Sequence, residues 1–116
     1  MPSLSEWLTS HSIFAFLADR EREQFAQAAI QKTYAEGEWL VLYGGVWPYL
    51  FLVTAGSIHG LKESKEGRSL IVLTLEPGDI FWGMAFFEDD AAMPVSLQAQ
   101  KDSQVYLWSR EQLLHG

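Results

Sequence analysis

Leu75-Glu76-Pro77-Gly78-Asp79-Ile80-Phe81-Trp82-Gly83-Met84-Ala85 opens the stretch that decides the fold of this 116-residue chain. Phe86-Phe87-Glu88-Asp89-Asp90-Ala91-Ala92-Met93-Pro94 and Val95-Ser96-Leu97-Gln98-Ala99 complete it. An apolar strand enters a Pro-Gly-Asp turn, and a short aromatic strand follows. Gly83 opens a brief helical turn, an acidic loop crosses over, and an alternating strand leaves. Val95, Leu97 and Ala99 form the dry side of that strand, and Ser96, Gln98 and Gln100 the wet side. A strand–turn–short helix–strand unit can aim backbone N–H groups and a helix N-terminus into a pocket, an arrangement suited to phosphate.

The flanking chain has the same β-rich grammar. Ser57 to Glu63 and Ser69 to Leu75 flank the polar loop Ser64-Lys65-Glu66-Gly67-Arg68, which predicts a hairpin. Leu50 to Ala55 is an apolar run stopped by Gly56, and Trp39 to Tyr43 another, stopped by Gly44-Gly45. Tyr34-Ala35-Glu36-Gly37-Glu38 reads as a turn with Gly37 available for a positive φ. Lys101-Asp102-Ser103-Gln104 turns the chain into Val105 to Trp108. The spacing predicts roughly seven or eight short strands, as in a sandwich or barrel.

Helical patterning is confined to the ends. Ser3-Leu4-Ser5-Glu6 is a capping box, with Leu4, Trp7 and Leu8 on one helical face. Ile13-Phe14-Ala15-Phe16-Leu17 is an apolar entry segment. Asp19 caps a second helix expected to run to about Gln31, with Glu21 and Glu23 in its first turn. Phe25, Ala26, Ala29 and Ile30 are expected on its inner face, with Lys32 at its C-terminal end. Ser109-Arg110-Glu111-Gln112 is a second capping box, and Leu113 and Leu114 lie on the helix it opens. The chain stops a turn or so into that helix. It reads either as a piece of a longer protein or as one that has lost what followed. The expected organisation is a single domain over 1–116: a helical part at 3–32, a β-roll at 33–108 and the start of a C-terminal helix at 109–116.

Composition narrows the chemistry. Hydrophobic residues make up 48% of the chain, which suits a buried core. No apolar run approaches a membrane span, and Met1-Pro2-Ser3 lacks the basic and apolar regions of a signal peptide, so a cytoplasmic protein without a membrane partner is expected. The absence of cysteine excludes disulfides, thiolate zinc sites, Cys-held iron–sulfur clusters and Cys nucleophiles. Net charge is −7 and the eight basic residues are scattered, so no direct contact with nucleic acid is expected.

The order of glycines and apolar runs resembles the cyclic-nucleotide-binding sensor domains of the catabolite activator/FNR (Crp/Fnr) regulator superfamily, from about Phe14 to Leu114. Tyr34-Ala35-Glu36-Gly37-Glu38-Trp39-Leu40 is similar to the family's aromatic-x-x-Gly-Glu strand start, and Gly45 to its next glycine. Leu50-Phe51-Leu52-Val53-Thr54-Ala55-Gly56-Ser57-Ile58 resembles its first hairpin, and Leu73 to Phe81 the turn into its phosphate-binding cassette. The resemblance implies a mainly β, double-stranded β-helix (jelly-roll) sandwich of about eight strands. It also implies N-terminal helices, the start of a C-terminal helix and a small-molecule effector.

Within the cassette the sequence departs from the nucleotide binders. They carry Gly-Glu-Leu/Ile where this chain has Gly83-Met84-Ala85, and Arg-Ser/Thr-Ala where it has Met93-Pro94-Val95. The family's Glu accepts from the ribose hydroxyl and its Arg pairs with the cyclic phosphate. Here both are thioethers, and Pro94 has no N–H to donate. A charge-assisted bond contributes roughly 1.5–3 kcal/mol. Losing two costs about 3–6 kcal/mol, or two to four decades of affinity. Gly83, Met84, Ala85, Met93, Pro94 and Val95 are therefore the candidate ligand-contacting residues of a degenerate cassette, with cyclic AMP and cyclic GMP not expected to bind.

The sensor domain of a Crp/Fnr-type bacterial transcription regulator, without its DNA-binding part, is the function the resemblance implies. The alternatives are a stand-alone interaction or oligomerisation module and a binder of a small non-nucleotide ligand. The resemblance implies a homodimer only if the helix begun at Ser109 continues. Nothing marks an enzyme: there is no nucleophile-elbow motif, and Glu88-Asp89-Asp90 reads as a solvated turn. His59-Gly60-Leu61 lacks the second histidine of a cupin metal site, and no residue is marked as a haem ligand, so neither metal nor cofactor is expected.

Overall fold

A computed structural model describes Leu4, residues 19–83, Glu88 and residues 90–109. Helix α1 (Asp19–Ala28) is followed by eight strands. These are β1 (Ile30–Tyr34), β2 (Trp39–Val41), β3 (Tyr49–Ala55), β4 (Ile58–Glu63), β5 (Ser69–Leu75), β6 (Ile80–Trp82), β7 (Ser96–Ala99) and β8 (Ser103–Ser109). They form two four-stranded sheets, in the orders β1-β8-β3-β6 and β2-β7-β4-β5. Every pairing is antiparallel. This is the mainly β sandwich that the sequence predicts.

The two inner faces meet in a core of Phe51, Val53, Ile58, Leu97, Ala99 and Val105. Strand β3 is buried on both sides, which explains its unbroken apolar run. Alternation sends Phe51 and Val53 into the sandwich, while Leu50 and Leu52 join Trp108 beneath α1. Phe25, Ala26, Ala28 and Ala29 close over that second cluster. The Phe25 and Trp108 rings stack at 4.4 Å and 12°. Trp108 Nε1 also donates to the Phe25 carbonyl at 2.8 Å.

The helix is shorter than the sequence predicts, and the helical part does not reach 32. It ends at Ala28, and Ile30 to Lys32 already belong to β1, paired with Leu107, Tyr106 and Val105. Ile30 is 47% exposed and does not line the inner face of a helix. Pairing with β8 gives the backbone of 30–34 a hydrogen-bonded ladder along one side, and that tertiary bond set outweighs the weak local helical pattern. Tyr34 consequently closes β1 and the turn begins at Ala35, with Gly37 at φ 88°. Strand β2 stops at Val41 because the Tyr43 amide leaves the ladder to donate to Ser96 Oγ at 2.7 Å. The hairpin of β4 and β5 forms around 64–68 as expected. The expected helix at 3–8 apart from Leu4, the entry segment 13–17 and the helix after Ser109 lie outside the described residues.

Candidate functional site

The segment 44–49, from the loop after β2 into the first residue of β3, clasps both ends of the crossing from β6 to β7. At the first end, the Gly83 amide donates to the Tyr49 carbonyl at 2.8 Å. A Cβ on Gly83 would overlap the Trp47 carbonyl oxygen, so only glycine lets the two backbones approach. At the second end, the Met93 amide donates to the Gly45 carbonyl at 2.8 Å and the Gly44 amide to the Met93 carbonyl at 2.9 Å. A bridge between Val46 and Ala92 extends that clasp.

Aromatic side chains fill the space beneath it. The Trp47 indole is buried edge-on against Tyr49 at 5.5 Å and Phe51 at 4.6 Å, and Phe51 meets Phe81 at 5.6 Å. Met93 is 1% exposed and belongs to the same core cluster. Val95 packs against that cluster, whereas Pro94 is exposed. Glu88 and Asp90 stand in solvent in a turn closed by the Ala91 amide on the Glu88 carbonyl at 3.1 Å.

Of the six residues that the sequence singles out, Gly83 and Met93 are brought under one clasp. Val95 supports it, Pro94 lies at its surface, and Met84 and Ala85 fall outside the described residues. The sequence reading misses Trp47, whose signal was an aromatic immediately after Gly44-Gly45-Val46 in a loop that ought to be polar.

Two concavities lie elsewhere. One of about 420 Å³ lies around Tyr34, Glu38, Ala55, Asp102 and Ser103. Its carboxylates serve the local backbone: Glu38 Oε1 accepts from the Ala35 amide at 2.8 Å and Asp102 Oδ1 from the Glu36 amide at 3.0 Å. Burial, with the charges of Glu38 and then Tyr49 adding to it, pushes the Tyr34 hydroxyl up to about 12. The other, about 500 Å³, is lined by Trp39, Tyr43, Leu61, Lys62, Glu63, Ser64, Ser69 and Ser96. Among the described residues no group of three His, Asp or Glu side chains could hold a metal, and His59 lies half-buried on β4.

The sequence profile of the cyclic nucleotide-binding domain matches residues 31–115. The chain belongs to that family. No curated protein sequence matches this cyclic nucleotide-binding-family domain closely. Its fold is that of the N-terminal domain of a transcriptional regulator from Streptomyces coelicolor, at TM-score 0.82 and 20% identity over 92% of this chain and 74% of that one. It is also that of the Thermus thermophilus catabolite activator protein, at TM-score 0.76 and 22% identity over 93% of this chain and 48% of that one. The regulatory subunit of a cAMP-independent protein kinase A from Trypanosoma cruzi, bound to guanosine, matches at TM-score 0.79 and 18% identity over 92% of this chain and 38% of that one. The domain thus spans less than half the length of the last two proteins.

The resemblance implies a cassette that holds a cyclic phosphate with a cation and backbone donors. In this domain Met93 stands where the resemblance puts the guanidinium, and its side chain is enclosed by the core. Its amide is spent on Gly45, and Pro94 has no amide to offer. Positions 93 and 94 therefore present a phosphate with neither a charge nor a free donor.

Proposed function

We propose that this domain is the non-catalytic sensor of a cytoplasmic Crp/Fnr-type transcription regulator, with a cassette that does not take cyclic AMP or cyclic GMP. One observation carries the second half of this reading: Met93 is buried, with both backbone groups latched to Gly44 and Gly45, where a nucleotide binder would extend a cation. Converting the site to phosphate binding would mean breaking two backbone bonds and exposing a core side chain. The match of folds with two regulators supports the first half. The guanosine carried by the Trypanosoma relative shows that a protein of this fold holds a nucleoside without a phosphate, which supports an uncharged effector for this domain.

Titration calorimetry with cyclic AMP, cyclic GMP and guanosine tests the cassette. No heat is expected from either cyclic nucleotide, and a low-micromolar dissociation constant for one of them would overturn the reading. Reading the gene beyond the codon for Gly116 tests the regulator: a basic helix-turn-helix supports it, and a stop codon favours a free-standing interaction module.

A further inference from the structure

Trp47 reaches the core from the loop between β2 and β3 rather than from a strand. Its indole is 5% exposed and lies at the entry to the cassette, with Cε3 3.2 Å from where a Cβ on Gly83 would stand. The Tyr49 and Phe51 rings meet it at 73° and 85°, so the slot is built around a flat ring seated edge to face. Met93, standing where the resemblance puts a guanidinium, is buried in the same cluster.

That lining selects an occupant by its chemistry. Phe51, Val53 and Met93 are apolar and buried, and an ionised phosphate among them would lose its hydration without gaining a partner. A neutral planar ring gives up little hydration there and can keep the edge-to-face geometry.

The segment that carries the indole is also the segment that holds the cassette. The Gly83 amide donates to Tyr49, the Met93 amide to Gly45 and the Gly44 amide to Met93. Gly44, at φ 83° and followed by a second glycine, supplies a hinge where this strap leaves the loop after β2. A ligand that takes the indole's place has to lift the strap, and lifting it breaks bonds at both ends of the crossing from β6 to β7. Occupancy of the slot is thereby converted into freedom of that crossing. We infer that the space beneath the clasp is a ligand site filled by the chain's own Trp47 indole, and that its effector is an uncharged planar aromatic which displaces that ring. The inference rests on the proposed closure of the cassette to cyclic nucleotides, and it names the class of ligand for the same site.

Calorimetry with indole and with guanosine, on the full chain and on Trp47→Ala, tests it, together with amide exchange at Gly83 and Met93. The parent chain must expel its own ring before a ligand enters, which lowers the apparent affinity by the fraction of molecules with the strap lifted. Trp47→Ala removes that competitor and should bind at least one of the two probes roughly tenfold tighter or more. In the parent chain, saturation with that probe should speed exchange of both amides. Should the alanine variant be unfolded, Trp47→Leu takes its place in the same comparison. Binding no tighter in the variant than in the parent, or binding that leaves the Gly83 and Met93 amides unchanged, would overturn the inference. Low-micromolar binding of cyclic AMP by the parent chain is a separate result, and it would overturn the cassette reading along with the uncharged class of ligand.

Discussion

The carbonyl oxygen of Trp47 stands where a side chain on Gly83 would begin, and two residues further on Tyr49 accepts the Gly83 amide at 2.8 Å. The entry to the cassette is thus fixed by backbone meeting backbone. That contact makes glycine obligatory there for a reason unrelated to any ligand.

Gly83→Ala should therefore destabilise the fold by about 1–3 kcal/mol, the cost of forcing atoms into a filled core. Urea unfolding monitored by tryptophan fluorescence measures it. An unchanged midpoint would mean that 44–49 moves aside freely and that the clasp is loose.

Met93→Arg restores the cation that the resemblance expects, but places it in a side-chain site that is 1% exposed and apolar. An unpaired buried charge costs on the order of 3 kcal/mol or more, so the melting temperature should fall by many degrees. Cyclic AMP should not recover it. A rise in melting temperature with added nucleotide would show that a pocket for phosphate survives beneath the clasp.

Trp108 ties the sandwich to α1 through both its ring and its N–H. Trp108→Phe keeps an aromatic ring but removes the N–H that donates to the Phe25 carbonyl, at a cost of about 0.5–1.5 kcal/mol. Trp108→Ala also opens a cavity and should cost about 3–5 kcal/mol. Chemical denaturation of the two variants separates the hydrogen bond from the packing.

The Tyr34 hydroxyl is raised from 10.0 to about 12, chiefly by burial. The unfolded chain thus loses this proton before the folded one does. Stability held below pH 10 should fall as pH rises through the window between the two values. Tyrosinate absorbance and melting temperature followed together across that window check the sign. Tyr34→Phe should flatten the alkaline slope, and an unaltered slope in that variant would assign the loss to other groups.

Residue patterning alone determined the sandwich. Gly37, Gly56, the Pro77-Gly78 turn and the 64–68 loop punctuate apolar runs of strand length, and turn chemistry is local. The alternation of Val95, Leu97 and Ala99 likewise set their face before any partner was known, because a strand's period is two whatever it pairs with.

Only the tertiary structure decided where helix gave way to strand. Residues 30–32 have no strong preference of their own, and β8 supplies the hydrogen bonds that make them β1. It also decided what Met93 does. The sequence shows a thioether in place of a guanidinium. That it is sealed into the core, with its backbone latched to Gly44 and Gly45, depends on segments nearly fifty residues apart meeting in space. Trp47 escaped the sequence reading for the same reason. An aromatic in a loop has no period to betray it, and its ring packs against Tyr49 and Phe51 with Gly83 beside it.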